Sequence, residues 1–538
     1  MCVPRVTLNS RTVGSPRPIA GQGRAALPAD SPLELPPFPR PLDRSTVVIG
    51  AGPAGLTAAY VLAKESVPVV VLEADPTDVG GLSRTVERDG YRFDIGGHRF
   101  FSKSQEIEDL WTEILGSDLV ERPRLSRIYY KGRFFAYPLR GGNVLRNLGV
   151  VESARSLLSY AKARFRPIAE PRSFEDWVTN RFGARLYRTF FKTYTEKVWG
   201  MSCSEISADW AAQRIHGLSL SSAIAQAMLP RRRRRNRHDT IKTLVDTFRY
   251  PRLGPGMLWQ ACSDEIRRRG GQVLLGRRVT RCTYDAEREC WEVEAVCADG
   301  RREVFTARNV INSAPMADLP RMLEPPLPPD ARAAASSLGY RDFITVALVL
   351  ADGSRFPDMW IYIHDPSVKV GRVQNFKSWS PDMVPDPSMA CYGLEYFCFE
   401  NDGLWSSSDA ELIELATREL VQIGLARRDD VRTGYVVRQR RAYPVYDDAY
   451  TGRVATIRRA IAESYPGLHL VGRNGMHKYN NQDHSMMTAI LTARNILAGR
   501  RLFDVWQVNQ DAEYHESGMT PIAGGRLVPA RIATGSAR

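Results

Sequence analysis

Gly50, Gly52 and Gly55, followed by Glu73, have the types and spacing to hold a dinucleotide. Gly50 can make a tight turn, Gly52 lets the backbone approach a pyrophosphate, and Gly55 lets a helix lie close to a strand. Ala54, between them, is small enough to keep that approach open. Glu73 falls about 20 residues after the turn, where a carboxylate accepts both hydroxyls of a ribose. These residues need a particular frame. The β-branched run Val47-Val48-Ile49 must be a strand, the segment after Gly55 a helix with its N–H groups facing phosphate, and Val67–Leu72 a second strand that delivers Glu73.

A second group of small residues follows, Gly80-Gly81-Leu82-Ser83-Arg84-Thr85, and then Tyr91-Arg92-Phe93-Asp94-Ile95-Gly96-Gly97-His98. Taken alone these are two surface turns. Following a strand, helix and acid in register, the first resembles the second glycine motif of the FAD-binding superfamily that includes amine oxidases, protoporphyrinogen oxidase, phytoene desaturases and UDP-galactopyranose mutases. The resemblance implies FAD as cofactor, with Gly81, Leu82, Ser83, Gly97 and His98 on its flavin side. That superfamily returns to its FAD domain twice. Here the returns are the apparent strand Gly271–Val279, with Val279 against the cofactor, and the strand Leu468–Val471 ending in Gly472-Arg473. After it come Asn481-Gln482-Asp483-His484-Ser485 and a helix over Met486–Ala498, which Asp483 or Ser485 can cap so that its free N–H groups face the flavin.

Several blocks are similar to UDP-galactopyranose mutases in particular, above all the eukaryotic branch. They are Phe93–His98 with Phe101; Lys131–Pro138; Tyr194-Thr195-Glu196-Lys197-Val198-Trp199 with Arg214; Trp360-Ile361-Tyr362 with Arg372 and Ser380-Pro381; and the run from Asn481 to Ser485. In family order they span about residues 45 to 500. The resemblance implies that Arg214 and Arg372 clamp a diphosphate, for which a planar guanidinium is suited because it binds phosphate bidentately and stays charged in a pocket. It also implies that Tyr137, Trp199, Tyr362, Tyr443 and Tyr479 line the substrate pocket, and that His98 tunes the flavin. The reaction it implies interconverts pyranose and furanose forms of a nucleotide-linked sugar without net redox change. Reduced flavin N5 attacks the anomeric carbon, and an external reductant supplies the reduced form.

The chain departs from that pattern at Thr195, Arg140 and Trp379, and is two residues shorter between Tyr479 and Asn481. The first two fall in the nucleotide's base pocket, so a different base, or a substrate without uridine, is open. An FAD-dependent oxidoreductase of the amine oxidase or protoporphyrinogen oxidase kind is the alternative.

The expected fold is α/β: a discontinuous Rossmann-type FAD-binding domain (44–130, 265–325 and 436–500), an inserted helical domain (145–235) and a mixed β-sheet substrate domain (335–435). Residues 1–43 and 501–538 read as tails. Ser173 with Asp176 forms a capping box for a helix in the second of these domains, and Asp409–Gly424 reads as a helix. The 538 residues carry 74 Lys+Arg against 60 Asp+Glu, a net charge of +14, and 43% are hydrophobic, which excludes a disordered or collagenous chain. Eight cysteines include no C-x-x-C pair and no zinc-ligand spacing, so no metal is expected and the thiols read as reduced, in a cytoplasmic setting. No transmembrane segment is apparent. Six arginines fall within Arg231–Arg237. Lacking interleaved aromatics, the run reads as a solvated loop rather than as a nucleic-acid site, and the resemblance to the mutases implies that it falls near the loop that closes over substrate.

Overall fold

In a computed structural model, residues 43–509 are described apart from 138, 140, 207, 209–246, 354 and 355. The expectations for Arg214, Arg140, the run Arg231–Arg237 and the outermost segments lie outside the described residues. At the centre is a five-stranded parallel sheet in the order Leu468–Leu470, Asn309–Asn312, Thr46–Ile49, Val69–Leu72, Gln272–Leu274. Its middle strand is buried on both faces, as an unbroken β-branched run requires. Helices Pro53–Lys64, Pro255–Arg268 and Gln482–Ala498 cover one face and form a single core with Trp111 and Trp259. An antiparallel layer of Arg277–Asp285, Cys290–Cys297 and Arg302–Ala307, with the helix Tyr450–Ser464, covers the other.

The second large sheet has seven strands: Val431–Pro444, Tyr340–Ala351, Met389–Cys398, Arg372–Asn375, Trp360–Ile363, Ser126–Tyr130 and Arg133–Ala136. It runs past both of the boundaries drawn from sequence. Ser126–Arg127 pair with Trp360–Ile361, so the strands Ser126–Tyr130 and Arg133–Ala136 belong to this sheet, and Val431–Pro444 is its edge along its whole length. The edge strand is half-buried and rich in arginine, which hid its membership from an apolar-alternation reading. Residues 501–509 are likewise no tail, for Phe503 and Val508 are buried in the core of the parallel sheet. The apparent strand Gly271–Val279 is two strands, broken at Gly276, whose φ of 65° lies in the left-handed region.

Residues 150–199 are helical: Val150–Phe165, Phe174–Phe182 and Ala184–Tyr187, with a π turn over Arg188–Lys192 leading into Thr193–Trp199. Ser173 and Asp176 form the reciprocal capping box at the second of these. Cations tie the last helix to the seven-stranded sheet. The Lys197 ammonium donates to the carbonyls of Ile363, Asp365 and Val370 at 3.2, 2.7 and 3.0 Å. Arg341 donates to the carbonyls of Lys197 and Val198, satisfying the free end of that helix. Among the described residues, seven cysteines are buried as free thiols.

Candidate active site

The glycine turn is built as its spacing requires. Gly50 has φ of 94°, and its N–H donates to the carbonyl of Leu72. A Cβ on Gly55 would lie 1.9 Å from the Gly50 carbonyl oxygen, so no side chain fits there. Gly52, the N-cap of Pro53–Lys64, has no side chain to satisfy the helix's free N–H groups. Gly81 faces it, the Cβ position of Gly81 being 3.2 Å from the Gly52 Cα. The two glycine motifs therefore meet back to back. Glu73 accepts from the N–H of Ala51 at 2.6 Å and of Asp75 at 2.9 Å, which holds its carboxylate beside the turn. Burial raises its pKa against those hydrogen bonds. The C-terminal return closes on the same place, for a Cβ on Gly472 would lie 2.8 Å from that of Ala54.

Neither Asp483 nor Ser485 caps the helix Gln482–Ala498. Asn481 is the N-cap, and His484 reaches back to accept from its N–H at 3.2 Å, an imidazole serving where a capping box ordinarily has Glu or Gln. Asp483 is drawn instead to the Ser102 hydroxyl, which donates to it at 3.1 Å. Both polar atoms of the Gln482 amide are buried without a hydrogen-bond partner. Such a group is costly unless a ligand completes it. This orphan at a helix N-terminus, together with the opposed glycines, is what a bound dinucleotide would satisfy. Val279, expected against the cofactor, is on the strand Arg277–Asp285 of the antiparallel layer, where the pairing shifts register between Val279 and Arg281.

His98 lies at the junction of the two sheets. Its Nε2 is 3.0 Å from the carbonyls of both Leu82 and Ile95, so that nitrogen carries the proton, and Nδ1 faces the Ser83 hydroxyl at 3.5 Å. Burial, with the charges of Arg473 and Arg372 adding to it, pulls its pKa down to about 4. The unfolded chain binds a proton at His98 near pH 6.5 while the folded one does not. Stability from this group is therefore present above pH 6.5 and lost as the pH falls through 4. NMR of the labelled imidazole is expected to show a neutral Nε2–H tautomer that does not titrate between pH 5.5 and 8.

Register on the seven-stranded sheet assembles the rest. Arg372 pairs directly with Tyr362 on one side and Glu395 on the other, placing the three side chains in one row across the sheet. Glu395 is wholly buried. Its Oε2 accepts from Arg372 Nε at 2.6 Å, and its Oε1 from the Gln374 amide at 2.7 Å. Arg372 remains a cation, with Glu395 the charge that holds it so against burial. The guanidinium carbon lies 3.3 Å from the Cβ position of Gly97, so a side chain there would crowd it.

Around Arg372 stands an aromatic box. Tyr362 packs against Tyr137 and Tyr194 with ring centroids 5.0 and 5.4 Å apart. Trp199 meets Tyr443 and Tyr479, which stack on each other at 5.6 Å. Arg473, expected against the cofactor, lies over the rings of Tyr443 and Tyr479 at 5.3 and 4.8 Å. The structure thus brings together Tyr137, Trp199, Tyr362, Arg372, Tyr443 and Tyr479. It adds residues to which the sequence assigned no role. Arg99 lies 4.3 Å from the Trp360 ring centroid and Arg124 5.5 Å from that of Tyr137. Tyr194 had served only to mark a block. No motif marks the two arginines. Glu395 did carry a signal, as the one acid in the apolar strand Met389–Cys398, since a charge there must be paired.

A family model of flavin containing amine oxidoreductases matches residues 53–497. The dTDP-fucopyranose mutase of Escherichia coli is 30% identical over 169 residues, which make up 30% of this chain and 43% of that protein. The chain thus spans less than half the length of that relative. Among solved structures, reduced UDP-galactopyranose mutase superposes with a TM-score of 0.71 at 22% identity, over 84% of this chain and 94% of that one. Cyclohexylamine oxidase from Brevibacterium oxydans does so with 0.59 at 16% identity, over 85% and 99%.

Proposed function

Because the chain belongs to the family of flavin containing amine oxidoreductases, and so is an FAD enzyme, we propose that it interconverts ring forms of a sugar carried on a nucleoside diphosphate. The observation that carries this reading is the charge of the aromatic box. Arg99, Arg124, Arg372 and Arg473 surround it, and the Glu395 carboxylate is already committed to Arg372 and Gln374. A site of this sign attracts a diphosphate and repels the ammonium group of an amine substrate. Tyrosines and Trp199 supply faces for a sugar and hydroxyls to orient it. Similarity to the dTDP-fucopyranose mutase supports a nucleotide sugar as substrate.

Gly50, Gly52, Gly55 and Glu73 would hold the adenosine and pyrophosphate of FAD, while Gly81, Ser83, Gly97, His98 and Gln482 would border its ring system. When bound and reduced, FAD supplies a nucleophile for the anomeric carbon. Arg372, with Arg214 as its expected counterpart, binds the diphosphate and stabilises the charge it gains as it leaves. His98, held neutral, keeps a fixed proton on Nε2 and takes no part as a base. The aromatic walls keep water from the reacting carbon.

The test incubates dithionite-reduced holoenzyme with UDP-, dTDP- and GDP-hexopyranoses and separates the products by chromatography. Conversion of at least one sugar by reduced but not oxidised enzyme, with no oxidant consumed, is expected. Oxygen uptake by the oxidised enzyme with an amine or alcohol, and no conversion by the reduced one, would show an oxidoreductase instead.

A further inference from the structure

The helix Val150–Phe165 is folded inside out. An amphipathic helix normally turns its apolar stripe to the core, yet this one buries Ser156 and Ala163. Its inner side fits small groups: the Ser159 hydroxyl accepts from the N–H of Arg185, and the Cβ position of Gly183 is 2.7 Å from the Tyr160 nitrogen. Val150, Val151, Ala154, Leu157, Leu158, Ala161 and Phe165 follow the helical period and share the opposite side. Phe165 is 87% exposed, Val150 76% and Leu158 71%. Of twelve exposed large hydrophobic side chains among the described residues, seven lie between Leu145 and Ile168. Scattered exposure needs no explanation, but a continuous stripe does.

Charge identifies the occupant. Arg155 and Lys162 border the stripe on one side and Arg164 on the other, with Arg166 and Arg146 beyond its ends. Glu152, the acid within the helix, is engaged by Arg185, and its contact with Arg155 is a long 3.7 Å. A second copy docked by the same stripe would set these cations against one another. Residues 1–42 and 209–246 are themselves basic, and 510–538 hold three acids against three arginines, so none of them complements the border. A surface that is apolar below and anionic above does. We propose that this helix seats the protein on an anionic bilayer, lying in the interface with Leu157, Leu158 and Phe165 among the acyl chains and its arginines at the headgroups. Its 16 residues give a contact about 24 Å long, at roughly 1.5 Å per residue.

Sedimentation of the full-length holoenzyme with vesicles tests this. Vesicles with 30% phosphatidylglycerol are expected to bind at least tenfold more protein than pure phosphatidylcholine, the difference shrinking as salt rises. A Leu157→Ser/Leu158→Ser/Phe165→Ser variant is expected to lose that binding at least tenfold while keeping its flavin content, since the three side chains are exposed. Arg155→Gln/Lys162→Gln/Arg164→Gln is expected to weaken binding to the anionic vesicles alone. Failure to sediment with anionic vesicles, or binding that survives the serine variant, would overturn the proposal. So would a dimer in sedimentation velocity that the serine variant converts to monomer, which would make the stripe an interface between copies.

Discussion

Arg372→Ala is expected to lower kcat/KM for the nucleotide sugar by roughly 10²–10³, the range seen when one donor to a developing anion is removed. It is also expected to destabilise the protein by about 3–5 kcal/mol, because truncation strands a buried carboxylate without its partner. Glu395 is wholly buried and would keep only the Gln374 amide. The two effects separate in a double variant. Arg372→Met/Glu395→Gln removes both charges from the row while keeping side chains that reach across the sheet, so most of the stability returns and turnover does not. Denaturant unfolding, followed beside steady-state kinetics, checks both. If Arg372→Ala turns over normally, the diphosphate is held elsewhere.

The second large effect separates two glycines three residues apart. Gly55→Ala puts a methyl 1.9 Å from the Gly50 carbonyl, so the first helix must move off the sheet. The expected yield is misfolded protein without yellow colour. At Gly52 the nearest atom to an added Cβ is the Gly81 Cα at 4.0 Å, an ordinary contact. Gly52→Ala is therefore expected to fold, with an unchanged far-ultraviolet spectrum, but to be purified with flavin occupancy at least tenfold lower, because the methyl stands where the backbone would meet pyrophosphate. The ratio of absorbance at 450 nm to that at 280 nm reads the result. Equal loss of fold in both variants would refute the assignment of Gly52 to phosphate approach.

The dinucleotide turn was legible because its chemistry is local. Gly50, Gly55 and Glu73 lie within one strand–helix–strand unit, and each residue type has a single physical reason to be there. The substrate row was not. Glu395 meets Arg372 only through the pairing of Arg372–Asn375 with Met389–Cys398, and register between strands leaves no trace in spacing along the chain. Resemblance supplied Arg372 and the tyrosines but not Arg99 or Arg124, which reach the box from loops with no periodicity. Capping was half legible. Ser173 and Asp176 form the box that their fixed offset implies, whereas five polar residues in a row left Asn481 hidden behind Asp483 and Ser485. The sheet boundaries failed where an edge strand, Val431–Pro444, exposes arginines in place of an apolar face.

The order of strands in the parallel sheet bears on how the chain is made. Thr46–Ile49 is flanked by Val69–Leu72, its near neighbour in sequence, and by Asn309–Asn312, with Leu468–Leu470 beyond. The last of these leaves the ribosome about 400 residues after the first, tens of seconds later at roughly 5–20 residues per second. Through that interval the nascent chain carries an apolar strand with an open edge, the form most given to wrong pairing. Co-expression with chaperones is therefore expected to raise the yield of folded protein from a foreign host more than lowering the temperature after synthesis does.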